Sequence, residues 1–300
     1  MFLHNDSSFP DIIEAVSSQA GIANAIVEKD YYVTMVLKGL SERSSDIVFK
    51  GGTSLSKAYH VINRFSEDID ITFNAHIGEA RRKKLKYEVI EKTCEELGLV
   101  IRNWKKTESD KDYNRYEIEY KSIVDADLPI APMVVLETAL MTCAFPTVAK
   151  SIENIIYDCL KDSDIALLSK YGLIPFSMQV QAMERTLADK LFAICDYYML
   201  GRSKRCSRHL YDVYKLRSHV TVDQEFLDLI KEVRIVRQSL GLKTAPAASN
   251  DVDIVTKTHE LRDEEFYRED YERTTRGLIS DEISYEDAMK AYEELIENVF

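Results

Sequence analysis

With 300 residues, 30% of them charged and 45% apolar, the chain has the composition of an ordinary soluble protein, long enough for one large domain or two ordinary ones. A net charge of −12 excludes indiscriminate nucleic-acid binding, which is driven by Lys and Arg meeting phosphate. The opening LHNDSSFPD offers no secretory apolar core, the apolar stretch Pro129 to Phe145 is broken by Glu137 and prolines, and the cysteines show neither C-x-x-C nor zinc spacing. We therefore expect a cytoplasmic chain with reduced thiols and no membrane span.

From Pro10 a helical pattern runs to a glycine stop at Gly21. Ile22 to Leu40 places Ile26, Val33, Val36, Leu37 and Leu40 on one stripe of an amphipathic helix, with Glu28, Lys29 and Asp30 read as a charged face. The segment Ile47 to Phe73 then predicts a strand, a Gly51-Gly52 turn, a helix opened by Thr53 or Ser54, and a second strand carrying Asp68 and Asp70. Two glycines let the backbone turn sharply and approach a ligand. The first N–H groups of a helix lack internal partners and carry the positive end of its dipole, so an anion such as phosphate is stabilised there. The hydroxyls of Thr53, Ser54 and Ser56 would add donors.

In DIDITF, Asp68 and Asp70 share a face while Ile69 and Ile71 point inward, which sets the acidic Cα atoms about 6.6 Å apart. Such a pair is either a solvated strand end or a cation site. Mg²⁺ is commonly held by one or two carboxylates plus substrate phosphates, and a phosphate turn one helix away favours the second reading.

A basic helix from Glu79 to Leu97, containing Arg81, Arg82, Lys83, Lys84 and Lys86, should stop at Gly98. Leu99 to Lys105, Tyr113 to Tyr120 and Met133 to Leu140 read as strands. Glu137 in the last needs a partner, an arginine or a cation. From Ser151 the pattern turns helical, over Ile152–Leu168, Gln181–Leu200, Arg208–Val220, Asp223–Leu240 and a final helix capped by Ser284 and Asp287, with a loop at Lys243–Asp251. We place the boundary between an α+β domain, residues 1–147, and a helical domain, residues 148–300, on this change. Within the second, Lys190 lies on one helix, Arg202, Lys204, Arg205 and Arg208 form a basic run, and Arg208 and Asp212 are four apart on another helix, the spacing of a local ion pair.

Gly51-Gly52-Thr53, the spacer helix and Arg64-Phe65-Ser66-Glu67-Asp68-Ile69-Asp70 resemble the signature of the AbiEii toxin family of the nucleotidyltransferase superfamily, which includes MenT-type toxins. Glu28-Lys29-Asp30-Tyr31 and the Lys190, basic-loop and Arg208-x-x-x-Asp212 segments are similar to further family segments, with His209 standing where an aspartate commonly follows the arginine. The resemblance implies a nucleotidyltransferase-fold mixed sheet with flanking helices and a helical C-terminal domain. It implies Asp68, Asp70 and, as a third acid on a neighbouring strand, Glu137 holding Mg²⁺, or Mn²⁺ in its place. Gly51, Gly52, Thr53, Ser54, Ser66, Lys190 and Arg208 would bind an NTP lying between the two domains. Asp212 would be an essential acid, either accepting a proton or orienting Lys190 or Arg208.

The implied function is an enzyme: a toxin of a bacterial toxin–antitoxin or phage-defence (abortive-infection) pair, moving NMP from an NTP to an acceptor hydroxyl. A tRNA 3′ end is the expected acceptor and a cognate antitoxin the expected partner. The alternatives are transfer to a protein or small molecule, or an NTP-binding toxin that sequesters a partner.

Overall fold

The computed structural model describes residues 1–64, 66, 68–124 and 131–300. Phe65 and Glu67 of the motif, and Pro129 and Ile130 of the apolar stretch, lie outside the described residues. The chain forms two compact units, Met1–Tyr59 with Ser66–Val180, and His60–Phe65 with Gln181–Phe300. The fold is α+β. No helix among the described residues is long and apolar enough to cross a membrane.

In the first unit the described strands β1 (Ile47–Lys50), β2 (Asp68–Phe73), β3 (Val100–Ile101), β4 (Tyr113–Glu119), β5 (Met133–Ala139), β6 (Thr147–Ile152) and β7 (Phe176–Gln181) make one mixed sheet in the order β3-β4-β5-β2-β1-β7-β6. β1 runs antiparallel to β2 and parallel to β7, while β2 runs parallel to β5, which is antiparallel to β4. β1 is apolar because both its faces are covered, Val48 and Phe49 being fully buried, and the inward Ile69 and Ile71 of β2 are fully buried too. β4 alternates, with Asn114, Tyr116 and Ile118 inward and Arg115, Glu117 and Glu119 half-exposed. Helix α1 (Phe9–Ala20) ends at Gly21, whose φ of 68° permits the left-handed cap. Helix α2 (Asn24–Arg43) lays its expected stripe into the core, and α3 (Gly51–Lys57) begins at the glycines themselves, ahead of the expected Thr53 or Ser54.

Three expectations are corrected. Leu99–Lys105 is not a strand throughout: only Val100–Ile101 pairs, and Trp104–Lys106 makes a 3₁₀ turn. Ile152–Leu168 is not one helix. Thr147–Ile152 adds β6 to the sheet, and two short helices follow, Ile155–Leu160 and Ile165–Lys170. Asn154 and Asp164 interrupt the pattern because their side chains accept from Tyr157 and Leu167 N–H at 2.8 and 3.0 Å, each capping a new helix.

Glu28 and Lys29, thirdly, are not a solvated face but are buried. Glu28 accepts from the Ser122 hydroxyl and the Ile123 N–H, and Lys29 donates to the Ala131 carbonyl. Asp30 accepts from Lys57 at 2.5 Å and from the Ile155 N–H at 2.9 Å. Buried polar groups need such partners, so these residues fasten α2 to α3 and to the chain around residues 122, 131 and 155.

In the second unit the helices Met183–Met199, Arg208–Leu216, Gln224–Gln238, Ile254–Asp263 and Tyr285–Val299 pack around a core that includes Leu187, Leu191, Leu210, Val213 and Ile296. Ser284 caps the last by accepting from the Asp287 N–H. The short segment at residues 60–64 is stitched in: Asn63 N–H donates to the Tyr211 hydroxyl, the Asn63 carbonyl accepts from Ser280, and Arg64 bridges Ile279.

Lys57 also donates to Thr34, so Lys57→Met would strand the Asp30 carboxylate in a nearly dry site. Removing one partner of a buried pair costs about 3 kcal/mol or more. The urea midpoint of Lys57→Met should fall accordingly and recover in part with Asp30→Asn added. A single variant as stable as the wild type would show that this pair does not secure α2.

Candidate active site

The first unit sets out a row of charged residues on one face of the sheet. Asp68 and Asp70 are half-buried while Ile69 and Ile71 between and beyond them are fully buried, as strand alternation requires. In register across the sheet, Lys50 of β1, Asp70 of β2, Glu137 of β5 and Arg115 of β4 lie side by side. Gly51 follows Lys50 with φ of 78°, and a Cβ there would come within 2.9 Å of the Asp70 Cγ and overlap its carboxylate oxygen. Only glycine lets the turn that starts α3 lie against this acid.

The serine and threonine hydroxyls hold this turn. Thr53 is buried, donates to the Asp68 carbonyl at 2.6 Å and meets the Ser66 hydroxyl at 2.9 Å. Ser54 donates to the Gly51 carbonyl at 2.8 Å and Ser56 to that of Thr53 at 3.0 Å. What the turn leaves for an anion is therefore the backbone N–H groups of the first turn of α3, with Ser66 half-buried beside Asp68.

Glu137 has the arginine its sequence context allowed, and a tyrosine besides. The Arg115 guanidinium lies 3.9 Å away, and the Tyr113 hydroxyl is pushed above its usual pKa by burial and by the Glu137 carboxylate. Asp70 stands on the other side in register. Among the described residues the trio of His, Cys, Asp or Glu with ligand atoms within 4.8 Å of one another is His259, Glu293 and Glu297. Asp68, Asp70 and Glu137 share a face without closing into such a cluster. The donor set fits a hard divalent cation through Asp68 and Asp70, with oxygen ligands left to be supplied by phosphate; Arg115 competes for Glu137.

The second unit buries a cluster around Asp212. This carboxylate is fully buried, and both of its oxygens are engaged: Arg64 donates from Nε to Oδ1 at 2.7 Å and from Nη2 to Oδ2 at 2.9 Å, and Lys190 donates to Oδ2 at 2.7 Å. Burial alone would raise its pKa, but Arg64 and Lys190 outweigh burial and hold it below the usual carboxylate range. A carboxylate so held orients cations and is a poor proton acceptor. Burial lowers the Lys190 ammonium, with Asp212 opposing.

Arg208 does not make the expected i, i+4 pair with Asp212; the buried carboxylate takes the two-pronged Arg64 and Lys190 instead, and among the described residues Arg208 has no ion pair. His209 stacks on Tyr197 with ring centroids 5.6 Å apart, and its Nδ1 lies 3.3 Å from Lys190 Nζ. An ammonium only donates, so Nδ1 accepts and the ring proton sits on Nε2. Burial, then Lys190, push the His209 pKa well below 6.5.

Sequence reasoning had not given Arg64 a role. Its signal was the arginine that opens the Ser-x-Asp-x-Asp motif, but the partner that explains it lies 148 residues away.

Two outcomes follow from this geometry. Gly51→Ala forces a strained left-handed backbone and displaces the Asp70 carboxylate, so nucleotidyl transfer should fall on the order of 10²-fold, as misplacement by about an ångström does; unchanged turnover would show that the turn does not set Asp70. His209 is neutral in the folded chain, whereas the unfolded chain protonates it below 6.5. Its contribution to stability is thus complete above that pH and declines as pH falls. Asp212, held below 3.8, adds a loss at still lower pH. Denaturation midpoints of His209→Asn should consequently decline less steeply than wild type between pH 6.5 and about pH 5. Parallel curves would mean that His209 titrates normally.

A family model described as "Nucleotidyl transferase AbiEii toxin, Type IV TA system" matches residues 36–298. Among solved structures, the chain resembles MenT4, nucleotidyltransferase toxin Rv2826c from Mycobacterium tuberculosis H37Rv, with a TM-score of 0.63 and 18% identity over 96% of this chain and 89% of that one, a likeness of fold. No curated protein matches. The chain belongs to the AbiEii family of nucleotidyltransferase toxins of type IV toxin–antitoxin systems.

Proposed function

We propose that this enzyme moves a nucleoside monophosphate from an NTP to the 3′ hydroxyl of a tRNA, that Mg²⁺ assists, and that a cognate antitoxin restrains it. The observation that carries the reading is the glycine turn packed on Asp70. It puts the first-turn amides of α3, which have no partner within the helix, against Asp70 of the carboxylate pair, a pairing suited to a metal-bound polyphosphate.

The acceptor oxygen bonds to the α-phosphorus as the bond from that phosphorus to the bridging oxygen breaks, and pyrophosphate leaves. Bound Mg²⁺ would polarise the α-phosphate and neutralise charge on the departing pyrophosphate. Asp68 and Asp70 hold it, and Glu137, drawn also toward Arg115, is the weaker third ligand. The α3 amides grip phosphate oxygens, with Ser66 as a further donor. Gly51 and Gly52 admit the ligand, while Thr53 and Ser54 keep the turn in shape.

In the second unit Lys190 and Arg208 bind the triphosphate. Asp212 is a positioning residue that aims Lys190 and Arg64; with both its oxygens taken, the proton of the attacking hydroxyl passes to the half-exposed carboxylate row. An RNA acceptor is supported by the cations of residues 202–208, which have no ion-pair partner among the described residues.

Label transfer from each α-labelled NTP to total tRNA, with and without Mg²⁺, tests this. Asp70→Asn should lower the rate on the order of 10³-fold, since the charge it supplies matters most in the transition state, and Glu137→Gln by about 10–100-fold. Transfer to protein that survives RNase would replace the tRNA reading. NTP binding without pyrophosphate release would remove the catalytic assignments.

A further inference from the structure

We infer that the loop 202–208 is a braced docking surface for the phosphate backbone of the RNA acceptor, an assignment that rests on the RNA reading above. Arg202, Lys204 and Arg205 are exposed, and among the described residues none has a carboxylate partner. Lys84, Lys105 and Lys106 are likewise exposed without a carboxylate, but at this loop three such cations fall within four residues. Of the other basic run, Arg81 pairs with Asp46, Arg82 with Asp112 and Lys83 with Glu79, while Lys86 is buried, donating to the Thr107 carbonyl and lying 4.4 Å from the Trp104 ring centroid. Those cations are largely neutralised within the fold, and the chain as a whole carries −12. An incoming polyanion is repelled by most of this surface, so a local group of uncompensated cations decides where it settles.

The loop is also held in one shape. It leaves the helix Met183–Met199 through Gly201, at φ of 65°, with the Arg202 N–H on the Tyr197 carbonyl. Asp270 then grips its far side: one carboxylate oxygen accepts from the Arg205 N–H at 2.7 Å, the other from the Ser207 N–H at 3.1 Å and the Ser207 hydroxyl at 2.6 Å. The buried Ser207 hydroxyl also meets Thr275 at 2.7 Å. Arg205 sits in the left-handed region at φ of 61°, a costly conformation for a side-chain-bearing residue that the two flanking bonds enforce.

Because Asp270 bonds to backbone N–H groups and not to the cationic heads, it fixes the loop without spending the loop's charge. A loop backbone already held in one shape has little further ordering to lose on meeting phosphates. The same chain continues directly into Arg208 and His209, so the docking surface is contiguous in sequence with the residues around Lys190 and Asp212. Phosphate contacts of this kind position a nucleic acid without reading its bases.

The test uses the full chain carrying Arg202→Gln, Lys204→Gln and Arg205→Gln together. These side chains have no internal ion pair to lose, and an unchanged unfolding midpoint checks this. Binding of 5′-labelled total tRNA is followed by anisotropy against salt, beside binding of a non-hydrolysable NTP. The expected result is unchanged NTP binding, tRNA affinity lowered about tenfold or more at low salt, and a log–log salt slope shallower by about 2. Wild-type-like affinity and slope in the variant, with wild type labelling tRNA, overturns the docking surface and leaves the proposed function standing. A wild type that binds no tRNA, or transfers label only to protein, overturns both.

Discussion

The clasp of Asp212 by Arg64 and Lys190 is the interaction on which most of the second unit's chemistry depends. A carboxylate with no solvent access is tolerable only when its charge is met by well-placed donors, and here a two-pronged guanidinium and an ammonium meet it. The requirement runs both ways. Lys190 could not keep a positive charge at that depth without Asp212, and Arg64 could not leave solvent without it. The short segment carrying Arg64 is accordingly drawn out of the first unit, which the chain leaves after Tyr59 and re-enters at Ser66. Tyr211, on the same helix as Asp212, secures that excursion through Asn63.

The first unit solves the opposite problem. Its acids are half-exposed and set in a row, where like charges repel unless a cation or a neighbouring base intervenes. Lys50 and Arg115 flank Asp70 and Glu137 in register, and the glycine turn brings backbone donors rather than a side chain against Asp70. Charges are buried where opposite charges meet them on both oxygens, and left accessible where they stand in a row on the sheet.

Much of this was legible in the sequence. Period-two alternation gave β2, β4 and the shared face of Asp68 and Asp70, and a continuous apolar run gave β5; glycine stops placed the ends of α1 and of the helix before Gly98. What escaped were partnerships across long separations. Nothing local in Glu28-Lys29-Asp30 says that Ser122, Ala131 and Lys57 await it, so it read as a wet helix face. Arg208 is four residues from Asp212 and looked like its partner, yet burial favoured the more distant Arg64. Strands β6 and β7 were lost for a similar reason, since their pairing lies with distant segments while the intervening residues carry helical periodicity. The fold was readable from spacing and its family from the motif, whereas the buried ion pairs needed the chain folded.

Trp104, the chain's single tryptophan, lies in the first unit beneath the Lys86 ammonium and against the edge of Tyr87. Its emission is therefore a private optical signal of the sheet unit, blind to the helical one. In a protein of two compact units, where a single global transition cannot be assumed, a mismatch between tryptophan emission and far-ultraviolet dichroism on heating would date the melting of one unit against the other without any label being introduced.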